Sequence, residues 1–464
     1  AWANTASSQN VGIGYEVMSG ALDGAFYNTC IGHQAGKAII TSDYNTFIGN
    51  QSGLSLTESG RNTGVGHGTL QSADGSEYAN TAIGMGAMQN VNNDASDYCV
   101  AIGNSALVGG TGTVANSIAI GAFALDATGS IGGSQNIAIG YEAMSGTVTN
   151  NKPFWNVAIG HQAMGSGAMD GATSNVVIGY QSGRHITTGD YNALYGHSTG
   201  DDLTTGAYNV ALGYRALYVA TDTSNTICIG YQAGDAINGT GANGTIAIGY
   251  SASGALTTGA NQTSIGYEAG ASLTTAGNST FIGYQAGKTI EAGNNVAIGD
   301  RAFANTDADA NAKASHKNVA IGNFAMGGAI NNTVTGAVAI GYYALGSATC
   351  STSASYGVYI GHHANINNGG GQNIAIGGYA LEDADGTETG NIAIGVSCMD
   401  NVNNDSSDFN TVIGNYAVRG GTGEYSENTA MGYEVHDGVG NQLVSREVMI
   451  GRGTGGGTIA GSCV

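Results

Sequence analysis

A short phrase that ends in glycine recurs along the whole chain and sets what it can fold into. We number positions from this anchor glycine, and 25 copies run from Gly14 to Gly451 at intervals of 16 to 23 residues. A repeat of this length is one supersecondary unit, which cannot bury its apolar face alone and must stack on its neighbours. Five successive copies read NVALG, TICIG, TIAIG, QTSIG and STFIG, at Gly213, Gly230, Gly249, Gly266 and Gly283.

The three residues before the anchor glycine predict a short strand. Position −3 is Val, Ile or Thr in 24 copies, position −1 is Ile in 21, and position −2 is Ala in 13 and never charged. β-branched residues at period two share one face of a strand. We expect that face to be buried in the core. The residues expected there include Ile139, Ile159, Ile248, Ile298 and Ile394.

The rest of the coil is predicted from the anchor glycine outward. An invariant glycine indicates positive φ or a close backbone approach. Ala at position +3 in 17 copies indicates a small side chain that points inward from a second, shorter strand. Asn at position −4 in 16 copies indicates a turn, because Asn tolerates the left-handed region and bonds its own backbone. The predicted fold is an all-β, parallel β-solenoid of about 25 coils, trimeric, with a rise of about 4.8 Å per coil.

Composition and charge limit the function classes. The unbroken repeat divides the 464 residues into a lead-in at 1–9, a solenoid at 10–455 and a tail at 456–464. With 80 Gly but one Pro and no G-X-Y period, neither collagen nor disorder fits. A net charge of −21 disfavours nucleic acid and anionic membranes as partners. No run of 18 apolar residues and no leader peptide is visible, so no membrane insertion is expected.

No catalytic, metal-binding or cofactor-binding pattern stands out, so the sequence predicts no enzyme and no cofactor. The six cysteines lack paired spacing, and Cys30, Cys228 and Cys398 stand where other copies have Ala. They are interpreted as small hydrophobes, with Cys463 as the candidate intermolecular thiol. The similar loops NVNNDASD at 90–97 and NVNNDSSD at 401–408 are interpreted as polar surface loops, with calcium binding as the alternative.

The position after the anchor glycine is the candidate functional surface. It holds Tyr in ten copies and His in five, and seven successive coils would align these rings as a ladder. One interpretation is a stripe that binds a host-surface glycan or receptor, and the other is a ladder that seals the coil edge or a chain–chain contact. The seven residues are Tyr180, His197, Tyr214, Tyr231, Tyr250, Tyr267 and Tyr284.

The alanines at position −2 are the candidate inter-chain face. They lie opposite the β-branched pair, and a charge-free face along a whole fibre is larger than the few hundred Å² that monomers usually expose. We therefore expect a homotrimer with these residues at or near its axis, and the larger Phe47, Phe281 and Tyr359 would mark a wider gap. The face is represented by Ala119, Ala138, Ala158, Ala247, Ala297, Ala320 and Ala393.

The phrases NSIAIG at 116–121, NIAIG at 136–140 and NVAIG at 156–160 resemble the head repeats of trimeric autotransporter adhesins of the YadA type. The likeness extends over essentially all the coils. It implies a left-handed parallel β-roll in which three identical chains pack around an axis and expose an adhesive outer surface. The coils here are longer than that family's, and neither a stalk nor a C-terminal membrane anchor is seen. The longer phrase YQAGxxLTTGxxNTxIG resembles repeats of marine phage tail fibres.

These features together predict a structural fibre or adhesin shaft of a virion or cell surface that mediates attachment to a host or surface. The location expected for it is extracellular or on the virion. The alternative is a subunit of a self-assembling extracellular filament, and a solenoid polysaccharide-degrading enzyme is a third, less favoured interpretation.

Overall fold

The chain folds as an all-β parallel β-solenoid of about 22 turns with nearly no helix, which confirms the predicted fold class at this level. Two compact units are distinguished: unit 1 is Ala1–Ile229 with Asn238–Thr240, and unit 2 is Gly230–Ile237 with Gly241–Val464. The computed structural model describes residues 7–73, 77–93, 95–126, 132–304, 314–328, 333–346, 354–366, 370–382, 388–402, 406–421, 423–436 and 443–453.

Unit 1 contains one in-register parallel sheet of three-residue strands, each of which ends one residue before an anchor glycine. Neighbouring strands pair without a register shift, as in Ile139 beside Ile159 and Ile159 beside Ile178. The strands are β1 (Val11–Ile13), β2 (Thr29–Ile31), β3 (Thr46–Ile48), β4 (Thr63–Val65), β5 (Thr81–Ile83), β6 (Val100–Ile102), β7 (Ile118–Ile120), β8 (Ile137–Ile139), β9 (Val157–Ile159), β10 (Val176–Ile178), β11 (Ala193–Tyr195), β12 (Val210–Leu212) and β13 (Ile227–Ile229).

Unit 2 repeats this arrangement and adds a short second sheet, in which β24 pairs with β26. One 3-10 turn, Thr240–Ala242, precedes its first strand and is the only helical element among the described residues. The strands are β14 (Ile246–Ile248), β15 (Thr263–Ile265), β16 (Thr280–Ile282), β17 (Val296–Ile298), β18 (Val319–Ile321), β19 (Val338–Ile340), β20 (Val358–Ile360), β21 (Ile374–Ile376), β22 (Ile392–Ile394), β23 (Thr411–Ile413), β24 (Tyr425–Ser426), β25 (Thr429–Met431), β26 (Val444–Ser445) and β27 (Val448–Ile450).

The anchor glycines meet both conditions predicted for them. Gly32 has a φ of +139°, a backbone conformation that residues other than glycine rarely adopt. A Cβ there would lie 2.3 Å from the carbonyl oxygen of Gly49 in the next coil. Gly160 has the same φ, and a Cβ would lie 2.3 Å from the carbonyl oxygen of Gly179. No side chain fits at either position, because consecutive coils turn this corner in direct backbone contact.

The residues after the anchor glycine form a turn, so the predicted second strand is wrong. In the coil of Gly160, residues 161 to 164 are a turn in which Gln162 and Met164 have φ of 54° and 51°. Ala163 between them is fully buried. The small residue at position +3 therefore does point inward, but the left-handed residues on either side of it prevent an extended strand.

The asparagines at position −4 form a buried ladder rather than a self-bonded turn. The left-handed residue is the one before, such as Tyr44 with φ 60°. The backbone N–H of Asn45 donates to Asn28 Oδ1 at 3.0 Å, and the Asn45 side-chain amide donates to the same oxygen and to the Ser59 carbonyl. Each asparagine thus bonds the neighbouring coils, which satisfies polar groups at the buried start of the strand.

The two strand faces are reversed relative to the sequence-based assignment. Ala158 is fully buried within a single chain, whereas Val157 and Ile159 on either side of it are half-buried. All the alanines of the candidate inter-chain face are likewise fully buried: Ala119, Ala138, Ala158, Ala247, Ala297, Ala320 and Ala393. The isoleucines expected in the core are half-buried: Ile139, Ile159, Ile248, Ile298 and Ile394.

The alanine stripe is therefore the interior of the coil and not a surface between chains. Period-two alternation separates the two faces of a strand but does not say which one is inside. The interior is narrow and is completed by side chains from the turn and the loop, such as Met164 and Ile186. Phe47, Phe281 and Tyr359 also lie inside the coil, so they do not mark a gap between chains.

Candidate functional surfaces

The rings that follow the anchor glycines stack from coil to coil on the outside of each unit. In unit 1, Tyr180 and His197 have ring centroids 4.7 Å apart, and His197 and Tyr214 are 5.3 Å apart. The same row extends backward from Tyr180 to His161 and Tyr141, at 5.1 Å per step. Consecutive coils thus place these rings at stacking distance.

Unit 2 carries the remaining four rings of the predicted ladder. Tyr231, Tyr250, Tyr267 and Tyr284 follow at centroid distances of 5.1, 4.9 and 5.3 Å and are nearly parallel. Each of the four is between 43% and 45% exposed, so one side of each ring faces solvent. The use of the ladder as a binding surface remains a prediction.

Carboxylates beside this ladder tune its charge. Glu268 follows Tyr267 and is bonded by Lys288 at 2.7 Å and by Gln285 at 2.8 Å. The Lys288 bond, with a smaller contribution from Gln285, lowers the pKa of Glu268. The negative charge of Glu268 raises the pKa of Tyr267. A tyrosine with a pKa near 10 is already neutral at physiological pH, so this upward shift leaves the Tyr267 ring uncharged.

A second set of exposed rings, which was not predicted from the sequence, lies at position −5. Tyr27 and Tyr44 stack at 4.9 Å, and Tyr191 and Tyr208 stack at 5.1 Å. These tyrosines are 48% to 59% exposed, and all have positive φ. The left-handed backbone turns the side chain out of the coil just before the asparagine turns in. An aromatic residue five positions before the anchor glycine was the sequence signal.

One cleft lies beside Tyr44 of this second set of rings. It has a volume of about 240 Å³ and is bordered by Tyr44 and Tyr78, with Arg61 between them. The Arg61 guanidinium carbon lies 5.1 Å from the centre of the Tyr78 ring. Asp43 and Glu58 complete the rim. Aromatic faces beside charged hydrogen-bonding groups are suited to a sugar ring, which offers both C–H faces and hydroxyl groups.

Within each unit, the outward face of the strands forms a surface that we call the apolar strip. It consists of the residues at positions −3 and −1 of the strands that end at anchor glycines. It contains no charged side chain. Most of its residues are half-buried, and some are more open, such as Val210 at 40% and Leu212 at 48% exposure. In-register pairing aligns these side chains in two parallel rows within each unit. Eight of its residues are threonines at position −3, and the others are Val, Ile, Leu, Met, Ala or Tyr.

The cysteines and the two similar loops have structural roles in the described residues. Cys30, Cys99, Cys228 and Cys398 are free and buried, and burial raises the pKa of each thiol to about 12. This agrees with their interpretation as small hydrophobes. Cys350 and Cys463 lie outside the described residues.

In the two loops, an aspartate oxygen accepts a backbone N–H of the preceding coil. Asp97 accepts from Tyr78 at 2.7 Å, and Asp408 accepts from Thr389 at 2.6 Å. Residues 94 and 403–405 of the loops lie outside the described residues. The carboxylates seen here therefore hold coils together, and calcium binding by these loops remains an untested alternative.

Comparison with known proteins adds no family. Neither models of protein families nor curated proteins match this chain. Within the described ranges, no helix has the length and apolar character needed to cross a membrane. Function is therefore argued from the surfaces above.

Proposed function

We propose that the chain is a structural fibre shaft that associates with copies of itself through the apolar strip. The single observation behind this proposal is that the strip has no charge and is still half-open in one chain. Thirteen strands with two outward residues each give 26 such residues in unit 1. None of these residues is charged, and a charge-free face that runs over thirteen coils is more extensive than the patches of a few hundred Å² usual for a monomer.

A second copy of the chain is the partner that fits the strip best. The strip repeats once per coil along each unit, and a copy of the same chain carries the same repeat, so side chains can interdigitate over the whole length. The rest of the chain is acidic, with a net charge of −21, so copies approach most easily where charge is absent. Self-association would bury the two outward rows that the fold leaves open.

The assembly proposed is a homotrimer with the apolar strips around its axis, in place of the alanines that the sequence suggested. The left-handed coil and an extracellular or virion-surface location follow from the resemblance to adhesin heads and phage fibres, and the count of 25 coils follows from the 25 copies of the repeat. All three stay part of this proposal. The shaft is not an enzyme. Its outward aromatic rings would serve attachment, with a glycan-covered host surface as the partner class.

Light scattering after size exclusion tests the assembly. The wild type is expected at three times the 46.2 kDa of one chain. Ile139→Lys with Ile159→Lys should lower the mass to that of one folded chain, because two neighbouring charges would enter the interface. Gln135→Lys, exposed in the same coil as Ile139, should leave the mass unchanged. A wild type that elutes as one chain would contradict the proposal.

Electron microscopy separates the shaft from the filament alternative. A closed trimer of stacked coils has one fixed length, whereas end-to-end association gives lengths that grow with concentration. Rods of a single length are expected at all concentrations.

Attachment is tested at the cleft that Tyr44 and Tyr78 border. Tyr44→Ala with Tyr78→Ala removes both aromatic borders of the cleft and should reduce binding to immobilised glycans. Gln135→Ala, at an exposed position −5 of another coil that carries no ring, is the control. Equal binding by the wild type and both variants would remove this cleft from the proposal.

A further inference from the structure

Two successive coils of unit 1 bring a histidine and two aspartates together. His185 lies seven residues after strand β10, and Asp201 and Asp202 lie six and seven residues after strand β11. One ligand atom from each of the three side chains lies within 4.8 Å of the others. Among the residues that the structure describes, this is the one group of three metal-ligating side chains at such a distance.

One of the distances around His185 is already that between two ligand atoms of a metal ion. His185 Nδ1 lies 3.4 Å from Asp202 Oδ1 and 2.9 Å from the carbonyl oxygen of Asp201. A tetrahedral zinc ion with bonds of about 2.0–2.1 Å separates its ligand atoms by about 3.3 Å. His185 and Asp202 have side chains that are 35% and 43% exposed, so both can adjust to an ion.

Asp201 supplies the second, independent observation. It is only 2% exposed, and its Oδ2 accepts a hydrogen bond from Arg184 at 3.0 Å. Its Oδ1 is buried without a hydrogen-bond partner. A buried carboxylate oxygen in this state loses its hydration without compensation, and an ion is one of the standard explanations. Arg184 fixes the orientation of the carboxylate, as outer-shell groups do around metal ligands.

We propose that His185, Asp201 and Asp202 bind a divalent transition-metal cation of the Zn²⁺ class, which links the two coils. Imidazole with carboxylate oxygens suits this class, whereas Ca²⁺ and Mg²⁺ prefer oxygen ligands alone. From the sequence no metal was expected, and calcium at the two similar loops was the one alternative. His185 was missed because the site forms only when residues 17 positions apart are stacked.

Without an ion, Arg184 forms an ion pair with Asp201, and His185 Nδ1 lies 3.4 Å from Asp202 Oδ1. That arrangement leaves Asp201 Oδ1 unpaired, whereas a bound cation would pair it. A chain with this site and a chain without it would differ in Zn²⁺ affinity and in how strongly Zn²⁺ stabilises the fold. Both quantities can be measured. The proposal does not depend on the proposed fibre function.

The test uses the full chain without an affinity tag, treated with EDTA and titrated with ZnCl₂ by calorimetry. The wild type is expected to bind one more Zn²⁺ per chain than His185→Gln or Asp202→Asn. Affinity at this site should fall by at least about 100-fold in either variant, the upper end of the loss seen for outer-shell changes. Zn²⁺ should raise the melting temperature of the wild type and not of the variants.

The matched control is His363→Gln. His363 Nδ1 also lies 3.0 Å from a carboxylate oxygen of Glu382, but within the described part of the chain this pair belongs to no such group of three. The control should keep the Zn²⁺ site. Circular dichroism checks that each variant is folded. Equal Zn²⁺ binding by the wild type and Asp202→Asn, or Ca²⁺ that competes with Zn²⁺ at equal concentration, would overturn the proposal.

Discussion

The ring of Phe47 occupies the space that a side chain at Gly53 would need. Phe47 is the centre of strand β3, and a Cβ on Gly53 would lie 2.7 Å from its ring. Where the strand centre is Ala, the residue six positions later can be large and fully buried, as in Ala158 with Met164. One large and one small residue therefore share the interior of a coil, which keeps the packed volume nearly constant.

Phe47→Ala and Gly53→Met should compensate each other. Phe47→Ala alone should cost about 3–5 kcal/mol of unfolding free energy through the cavity it leaves. Gly53→Met alone should cost more than about 1 kcal/mol through its clash with the ring. The double variant should be more stable than the sum of the two losses predicts, because it recreates the pair of Ala158 and Met164. Urea unfolding of the four proteins gives the coupling energy, and additive losses would contradict the shared space.

The sequence allowed the fold class to be predicted because the repeat carries its own register. Each anchor glycine marks the end of a strand, so the positions of the strands and their parallel pairing follow from the period alone. The conformation of the anchor glycine was equally predictable, because no residue other than glycine occurs there in 25 copies. These properties depend on residues within one phrase.

The burial of the strand faces was not predicted correctly, although the sequence contained the signal. Phe281 is followed six positions later by Gly287, and Ala138 by Met144. This exchange of sizes shows that the two positions share one space, which must be the coil interior. The β-branched residues at positions −3 and −1 instead favoured the wrong face as the core. Their preference for strands reflects backbone geometry and does not report how deeply a side chain is buried. The proposed metal site and the outer rings needed contacts between coils, which a single phrase does not contain.

Gly160→Ala should destabilise unit 1 severely. The added Cβ would lie 2.3 Å from the carbonyl oxygen of Gly179, and the residue would keep φ +139°. We expect a loss of more than about 3 kcal/mol, since both strain and a backbone clash act. Gly24→Ala is the control, because Gly24 has φ +80° and a Cβ added there would meet no atom within 4 Å. In thermal unfolding, the wild type should have the highest melting temperature, Gly24→Ala the next and Gly160→Ala the lowest.

Asn175→Ala should show what the buried ladder contributes. The Asn175 side chain donates to the carbonyl of Gly189 at 2.8 Å and accepts from the backbone N–H of Asn192 at 2.9 Å. Both partners would be left buried and unsatisfied, at about 1–3 kcal/mol each. Asn151→Ala, at an exposed position, should change stability by less than about 0.5 kcal/mol. Equal denaturation midpoints for the two variants would show that the ladder adds no stability.

Asp126→Asn should stabilise the protein at neutral pH. Burial, with a smaller contribution from the negative charge of Glu142, raises the pKa of Asp126 to about 6. Because this pKa is above its unfolded value of about 3.9, stability is lost as the pH rises from about 4 to 6. Asparagine avoids this loss, and the gain at pH 7.5 should be about 1 kcal/mol, allowing for solvent at a half-buried site.

The gain from Asp126→Asn should disappear near pH 4, where the native carboxyl is already protonated. Asp170→Asn is the control, and it should lower stability at neutral pH. The Asn150 side-chain amide and the backbone N–H of Asn151 lower the pKa of Asp170, so its ionised form stabilises the fold. Melting temperatures measured from pH 4 to 7.5 check both variants. A pH-independent effect of Asp126→Asn would contradict the assigned cause.

The two strand faces should respond differently to charge. Ala247 is fully buried inside its coil, and Ala297 is too, so Ala247→Glu with Ala297→Glu should unfold unit 2 by stranding charges in the core. Ile248 and Ile265 are paired neighbours on the apolar strip and are half-buried in one chain. Ile248→Lys with Ile265→Lys should therefore keep the fold, because a lysine stem can lie along the strip with its charge in water.

The same lysine pair should nevertheless separate the chains, because in the assembly its charges would have no water and no partner. Circular dichroism reports the fold and light scattering reports the mass, so the two outcomes are independent. The expected result is an unfolded glutamate pair and a folded lysine pair with the mass of one chain. If the glutamate pair melts like the wild type, the alanines do not lie inside the coil. If the lysine pair keeps the mass of the wild type, the strip is not the interface.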